Sequence, residues 1–167
     1  MIYFTSDTHF FHTNVIHRCQ RPFSSVEEMN EVLIENWNKT VSSKDQLYFL
    51  GDFSFGSKED LAVLLERLNG KKTFILGNHD SQKDLERCGA TTCDYKEVKW
   101  YRRKFCCFHF PILSWNGKYR GTFHLHGHSH GKVNSPEVLG KAIDVGVDSK
   151  QITDKYRPIS IEEIVEF

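Results

Sequence analysis

The sequence contains no apolar run that approaches the roughly 20 residues needed to cross a lipid bilayer. Its first residues lack the basic and apolar regions of a secretory signal, which predicts a protein of the cytoplasm. Lysine plus arginine and aspartate plus glutamate number 22 each, so no excess of positive charge favours coating of nucleic acid or acidic membranes. Five cysteines occur without a CxxC pair, which favours reduced thiols over a disulfide framework or a redox centre.

Internal repeats, low-complexity tracts and linker-like stretches are absent as well. The 167 residues are near the usual size of one domain and suffice to bury a core. Short strands alternate with helical segments early in the chain, and strands dominate later, which is typical of the α/β class. We therefore expect a single soluble domain over residues 1–167.

Five apolar runs each end in a small polar cluster of Asp, His, Asn and Gly. The runs are residues 2–6, 47–50, 73–76, 105–108 and 122–125, and the polar residues after them are Asp7 and His9; Gly51 and Asp52; Gly77, Asn78, His79 and Asp80; His109; and His126, Gly127, His128 and His130. Open α/β sheets place their chemistry just beyond the carboxyl ends of the strands. Because oxygen and imidazole ligands bind divalent metals, the pattern predicts a two-metal hydrolase.

Serine residues mark the starts of the predicted helices. These helices follow Ser25, Ser57, Ser81 and Ser160, and the second and third of them end near Gly70 and Gly89. Apolar residues recur every three or four positions behind Ser25 and Ser57, so each of these helices has one apolar face.

Basic residues cluster where residues 98–101 and 105–108 form a predicted hairpin, around Arg102-Arg103-Lys104. Three charges at a hairpin tip are typical of a solvated surface, and we do not expect broad nucleic-acid binding there. Arg18 and Arg21 are likewise interpreted as solvated, the alternative being contact with a second phosphate or a nucleotide. A further strand is predicted over residues 142–147, with Asp144 and Asp148 as residues of the strand edge.

The polar clusters differ in how specific they are. Asp7-x-His9 and Gly51-Asp52 each occur by chance in many proteins, and His109 alone is more typical of a core histidine. Residues 77–80 are more specific, because an amide oxygen, an imidazole and a carboxylate follow one strand in succession. His124, His126, His128 and His130 alternate, and we expect Gly127 to bend the chain so that only the last two reach the site.

Taken together, these motifs resemble the calcineurin-like metallophosphoesterase superfamily, whose five motif blocks occur here in the family's order over residues 7–130. The resemblance implies a four-layer αββα sandwich, in which two mixed sheets pack face to face between helices, with a dinuclear metal site at the carboxyl ends of the strands. It also assigns roles by position: Asp7, His9, Asp52 and His130 bind one metal; Asp52, Asn78, His109 and His128 bind the second; and His79 faces the substrate with Asp80 behind it.

The chemistry of these residue types fits those roles. Two divalent ions roughly 3.5–4 Å apart can share a hydroxide that attacks phosphorus in line with the leaving oxygen. A protonated His79 can donate to that oxygen, and Asp80 is expected to orient the imidazole and favour its charged form. Mixed oxygen and nitrogen ligands favour Mn²⁺ first, with Fe, Zn²⁺ or Ni²⁺ as alternatives, over a pure Mg²⁺ or Ca²⁺ site.

Two features favour phosphodiester substrates. Protein phosphatases of the family resemble Gly-Asp-x-Val-Asp-Arg-Gly and Gly-Asn-His-Glu, whereas this chain has Gly51-Asp52-Phe53-Ser54-Phe55-Gly56 and a block that ends in Asp80. The chain is also short for an accessory cap domain. A small-molecule phosphomonoesterase or a nuclease is the alternative, and a non-catalytic scaffold is disfavoured because every implied ligand and His79 are present.

The residues around the centre are less specific. His12 and Asn14 are predicted to line the pocket mouth, the alternative being that they cap a short helix. In the alternative to a solvated position, Arg21 completes the candidate substrate-binding set. The expected partner is a phosphate ester such as a nucleotide, with no role for a membrane. A different metallohydrolase fold, suggested by the histidines alone, leaves Asp52 and residues 77–80 unexplained.

Overall fold

The computed structural model describes residues 1–133, 140–149 and 156–167. Its strands are β1 (Ile2–Thr5), β2 (Gln46–Phe49), β3 (Lys71–Ile75), β4 (Thr91–Cys93), β5 (Lys96–Trp100), β6 (Arg103–Cys107), β7 (Phe123–His126), β8 (Ala142–Asp144) and β9 (Ile159–Ser160). Its α-helices are α1 (Thr13–Arg18), α2 (Val26–Thr40), α3 (Lys58–Arg67), α4 (Gln82–Arg87) and α5 (Ile161–Glu166), and Lys118–Arg120 forms a short 3₁₀ helix. The five predicted strands that precede the polar clusters all form, with ends displaced by one or two residues.

The strands form two mixed sheets. The first has the order β4-β3-β2-β1-β9, in which only the edge strand β9 runs antiparallel to its neighbour. The second has the order β5-β6-β7-β8, in which β5 and β6 form the predicted hairpin and the remaining pairs are parallel. The strand predicted over residues 142–147 is shorter than expected, since β8 ends at Asp144.

Side chains of the first sheet alternate between two hydrophobic cores. Leu47 and Phe49 pack under the helices with Trp37 of α2, whereas Phe4 and Leu50 face the second sheet. The core between the sheets is completed by residues of the second sheet and of α5, namely Phe105, Leu125, Ile143, Ile161 and Ile164. The structure therefore has the predicted α/β architecture of two mixed sheets with flanking helices.

The helices begin where the serines predict. Ser25 and Ser81 accept hydrogen bonds from the amides three residues ahead, and Ser57 and Ser160 each form a complete capping box. On the outer face of the second sheet, the ring of Trp115 lies 5.2 Å from that of His124. None of the helices in the described part of the chain is long and apolar enough to cross a membrane.

The carboxyl ends of β1, β2, β3, β6 and β7 meet at one edge of the two sheets. The segments beyond β1 and β8 are joined there by a parallel bridge between Ser6 and Gly146. Because the two sheets meet at this edge, residues distant in sequence come together as the sequence predicts.

Candidate metal centre

Five residues at this edge have left-handed backbone conformations that side chains other than glycine rarely adopt. The φ angles are 56° at Asp7, 50° at His9, 60° at Asp52, 65° at His128 and 48° at His130. Each turns the chain sharply just after a strand. Such conformations persist where the surrounding structure requires them, and they occur often in functional sites.

Asp7, His9 and His130 form the first group of potential metal ligands, whose ligand atoms all lie within 4.8 Å of one another. Asp7 is completely buried, and it accepts hydrogen bonds from the Ser6 hydroxyl and the His128 amide. Burial raises the pKa of Asp7 well above its usual value. A cation beside this carboxylate would offset the cost of burying its charge.

Asp52, His109 and His128 form the second group, whose ligand atoms also lie within 4.8 Å of one another. Asn78 joins it, because its Oδ1 lies 3.1 Å from Nε2 of His109. His109 and Asp52 are buried, whereas Asn78 and His128 are exposed. The second group therefore opens to solvent on the side where a substrate can approach.

Asp52 links the two groups. Its Oδ2 lies 3.6 Å from Nε2 of His9 in the first group and 3.6 Å from Nε2 of His109 in the second. Nε2 of His9 is buried and has no hydrogen-bond partner among the described residues. An orphaned imidazole nitrogen beside a carboxylate is costly to bury unless it binds a ligand, so the residues present fit a pair of divalent cations with a shared aspartate.

Two glycines allow the chain to pass directly over the buried carboxylates. A Cβ atom at Gly127 would overlap the Asp7 and Ser6 side chains, and one at Gly77 would overlap the Asp52 carboxylate. A larger residue at either position would displace a potential metal ligand. Gly127 also follows the end of the histidine-rich strand: His124 and His126 are buried in β7, while His128 and His130 lie in the two groups.

The imidazoles are oriented by acceptors on their far sides. Nδ1 of His109 lies 2.7 Å from the Leu50 carbonyl oxygen, and Nδ1 of His130 lies 2.7 Å from Oδ2 of Asp148. Each contact leaves Nε2 directed at the carboxylates, which is the usual arrangement for metal-binding histidines. Cys19 contacts His130 as well, with its Sγ 3.3 Å from Nδ1, so Cys19, His130 and Asp148 form a further close group.

Arg21 is buried beneath the cluster, so its interpretation as a solvated residue is wrong. Its guanidinium donates two hydrogen bonds to Asp148, at 2.9 and 2.8 Å, and one each to the carbonyl oxygens of Asp7 and Thr8. The guanidinium thus holds the loop after β1 against Asp148 instead of facing a substrate. Asp148 in turn holds His130, which its assignment as a strand-edge residue did not predict.

The two histidines of the first group, His9 and His130, differ sharply in protonation. Burial, with His130 and Arg21 nearby, lowers the pKa of His9 to about 2, so this imidazole is neutral. Burial also acts to lower the pKa of His130, but hydrogen bonds with Asp148 and Cys19 and the nearby Asp7 raise it to about 10. His130 is therefore protonated at neutral pH, and it would have to lose this proton in order to bind a metal.

His79 lies at the solvent side of the centre, and Asp80 lies between the loops that follow β2 and β3. The His79 side chain is about half exposed, and its Nε2 lies 4.0 Å from Oδ2 of Asp52. Asp80 accepts hydrogen bonds from the amides of Asp52, Phe53 and Gly77, each at 2.9 Å. The carboxylate of Asp80 thus fixes the loops that carry Asp52 and Asn78, whereas the sequence predicted that it orients the His79 imidazole.

An aromatic wall formed by His12 and Phe55 stands beside His79. The rings of His12 and Phe55 are stacked with their centroids 4.1 Å apart, and the Phe55 ring lies 5.1 Å from that of His79. His12 precedes α1 at the capping position without a side-chain capping bond, while Asn14 is exposed in the first turn of α1. Phe55 is 41% exposed, and no feature of the sequence pattern marked it as part of the site.

Binding of Mn²⁺ at pH 8 is expected to release a proton from His130, because only a neutral imidazole can bind a metal and the pKa of this one is about 10. Asp148→Asn weakens the acceptor that raises this pKa, so the variant should release fewer protons. The variant also loses the orientation of the imidazole, which by itself would weaken metal binding by about 10–100-fold. Calorimetric titration in two buffers of different ionisation enthalpy measures both quantities, and equal proton release by the two proteins would contradict the assignment.

Comparisons with known proteins agree with this geometry. The sequence model that describes the calcineurin-like phosphoesterase family matches residues 1–160 of this chain. An uncharacterized protein of Methanocaldococcus jannaschii is 39% identical, over 98% of this chain and 89% of that protein. The gene 66 protein of Mycobacterium phage L5 is 26% identical, over 88% of this chain and 86% of its own length.

Solved structures show the same fold. A protein of unknown function from Aquifex aeolicus has a TM-score of 0.76 and 26% sequence identity, and the match covers 99% of this chain and 98% of that one. Yfce, a phosphoesterase from E. coli, has a TM-score of 0.51 at 18% identity over 87% of this chain and 78% of its own, a likeness that bears on the fold alone. The family match spans nearly the whole chain and includes every residue of both ligand groups, and the chain belongs to the calcineurin-like phosphoesterase family.

Proposed function

We propose that the protein is a phosphodiesterase that uses two divalent cations, with Mn²⁺ as the preferred metal. The observation that carries the proposal is the Asp52 carboxylate, 3.6 Å from a ligand nitrogen of each group. Asp7, His9 and His130 would hold one ion and Asn78, His109 and His128 the other, with Asp52 shared between them. Bound there, the ions would supply positive charge for the phosphoryl oxygens and make water acidic enough to yield hydroxide near neutral pH.

Residues of the chain itself would position the substrate and move the proton. His79 is exposed beside Asp52, where a protonated imidazole can donate to the leaving oxygen of the ester. Asp80 accepts three hydrogen bonds from backbone amides and so fixes the loops of Asp52 and Asn78 relative to each other. The site therefore needs little rearrangement before reaction.

The charge around the centre favours diesters over monoesters. A monoester dianion carries a second negative charge that an additional cationic side chain would have to match. The guanidinium of Arg21 is buried and paired with Asp148, so it is not available for that purpose. A diester has a single negative charge, which the two metal ions alone can match.

A nucleotide is the substrate class that the aromatic wall favours. Phe55 is partly exposed and stacked on His12, and both rings stand next to His79. A base placed against this wall would bring its phosphate towards the exposed side of Asn78 and His128. The five free thiols support a protein that works in the reducing cytoplasm.

Hydrolysis of bis-p-nitrophenyl phosphate and of p-nitrophenyl phosphate, each with Mn²⁺ or with EDTA, tests the proposal. We expect the diester rate to exceed the monoester rate at equal substrate concentration, because the buried Arg21 guanidinium is not available to pair with the monoester's second charge. EDTA should abolish both rates. A dominant monoester rate would identify a phosphomonoesterase, and a diester rate that persists in EDTA would overturn the metal-dependent mechanism.

A further inference from the structure

A basic cleft lies at the opposite end of the second sheet from the metal centre, between the β5–β6 turn and residues 113–121. Arg102, Arg103, Lys104 and Arg120 line a cavity of about 220 Å³ together with Asn116 and Thr122. Strand β6 separates Arg103 from His109, which at about 3.3 Å per residue places the two ends roughly 20 Å apart. The cleft is therefore not part of the metal centre.

Basic residues outnumber acidic residues in the segment that carries this cleft. Residues 95–125 contain seven lysines and arginines, which are Lys96, Lys99, Arg102, Arg103, Lys104, Lys118 and Arg120, and a single carboxylate, Glu97. The formal charge of the whole chain is zero, so the remainder is strongly acidic. Although the whole chain is neutral, residues 95–125 produce a local positive field, and such a field attracts a polyanion.

The cations of the cleft are not neutralised by the protein. Within the ranges that the structure describes, Arg102, Arg103, Lys104 and Arg120 form no ion pair with a carboxylate. The carboxylate of Glu97 accepts hydrogen bonds from Asn116 and from the Tyr95 hydroxyl, at 2.9 and 3.0 Å. Glu97 interacts electrostatically with Lys104, whereas the three arginines have no carboxylate partner among the described residues, and an anionic ligand would provide one.

Two tyrosines beside the cleft are almost entirely exposed. Tyr101 is 89% exposed at the tip of the hairpin, and Tyr119 is 93% exposed in the 3₁₀ helix next to Arg120. Tyr101 also has a left-handed backbone with φ of 49°, in a turn that projects the ring from the sheet. Exposed rings interleaved with cations are the features that proteins use to stack bases and hold the phosphates of single-stranded nucleic acid.

We propose that this cleft and its two tyrosines bind single-stranded nucleic acid. Planar guanidinium groups match phosphate oxygens in pairs, and three of the four cations are arginines. A duplex would leave both rings unused because its bases are already stacked. An acidic lipid surface is broad and flat, whereas the cations here line a concave cleft that a single strand can enter.

Fluorescence anisotropy of a labelled phosphorothioate oligothymidylate of about 20 nucleotides, with the full chain, tests this inference. Four phosphate contacts predict that log Kobs falls with log salt concentration with a slope of about −3. Arg103→Glu with Arg120→Glu should weaken binding by about tenfold or more and flatten the slope by more than 1. Tyr101→Ala with Tyr119→Ala should weaken binding by about tenfold or more with the slope retained.

The matched control is Lys83→Glu with Arg87→Glu on α4, which makes the same change in net charge on a different surface. It should bind the oligonucleotide as wild type does, and equal loss in the control would overturn the cleft assignment. Absence of oligonucleotide binding, or binding to phosphatidylserine vesicles alone, would overturn it as well.

The test is independent of the proposed phosphodiesterase. Oligonucleotide binding is measured in EDTA, which removes metal ions from the centre and leaves the cleft as the surface under test. The two cleft variants should hydrolyse bis-p-nitrophenyl phosphate at the wild-type rate, which also shows that they fold. A chain inactive on every ester but able to bind the oligonucleotide would refute the activity and leave the cleft assignment supported.

Discussion

Replacing Asp52 by asparagine is expected to lower kcat/KM for bis-p-nitrophenyl phosphate by about 10³-fold, which corresponds to about 4 kcal/mol of transition-state stabilisation. The substitution keeps the shape of the side chain but removes its charge. It also replaces one oxygen with an amide group, which would face the imidazoles of His9 or His109 where Asp52 now lies 3.6 Å from both. Since both ligand groups depend on this carboxylate, the variant should lose metal from both.

Metal content measured by elemental analysis separates this explanation from a loss of folding. Wild type loaded with Mn²⁺ is expected to carry two ions per chain, and Asp52→Asn one or fewer. Asp84→Asn is the matched control, because Asp84 lies on α4 beside Lys58, outside both ligand groups. It should retain wild-type activity and metal content, whereas two ions and full activity in Asp52→Asn would show that Asp52 is not shared.

The proximity of the residues in the two ligand groups could be predicted from sequence, because most of them follow closely on the end of a strand. Asp7, Asp52, His109 and His128 lie within three residues of a strand end in the structure. Once the strands are placed in one open α/β arrangement, their ends must meet at one edge. The fold class could be predicted for the same reason, since apolar runs and serine caps mark most of the elements.

The support around those ligands could not be predicted in this way. Arg21 and Asp148 are separated by 127 residues, and their ion pair arises only after both sheets have assembled. An arginine before Pro22 has no local feature that distinguishes a buried guanidinium from a solvated one. The left-handed turns at Asp7 and His130 could not be predicted either, because only glycine indicates such a conformation reliably in sequence.

The contacts of Asp80 differ from those predicted from its place in the motif of residues 77–80. Adjacency to His79 suggested that the carboxylate orients the imidazole. Three backbone amides converge on it instead, and a buried carboxylate is better stabilised by several amide donors than by one exposed ring. Burial raises the pKa of Asp80 while these hydrogen bonds act to lower it, so the same three amides favour its ionised form.

His79→Ala is expected to lower kcat for diester hydrolysis by about 10²–10⁴-fold while both metal ions remain bound. The loss should depend on the leaving group, because the imidazole acts by giving a proton to the leaving oxygen. p-Nitrophenolate leaves readily without a proton, whereas the alkoxide of a dinucleoside monophosphate does not. The loss in kcat should therefore be larger for the dinucleotide than for bis-p-nitrophenyl phosphate.

This dependence on the leaving group distinguishes proton donation from the other roles open to a histidine 4.0 Å from Asp52. A histidine that bound metal would lower the metal content when removed, and one that only held the phosphate would affect both substrates alike. His17→Ala is the matched control, since His17 is an exposed residue of α1 outside both ligand groups, and it should leave both rates unchanged. Equal losses on the two substrates would assign His79 to binding of the phosphate, and a lower metal content would assign it to the metal centre.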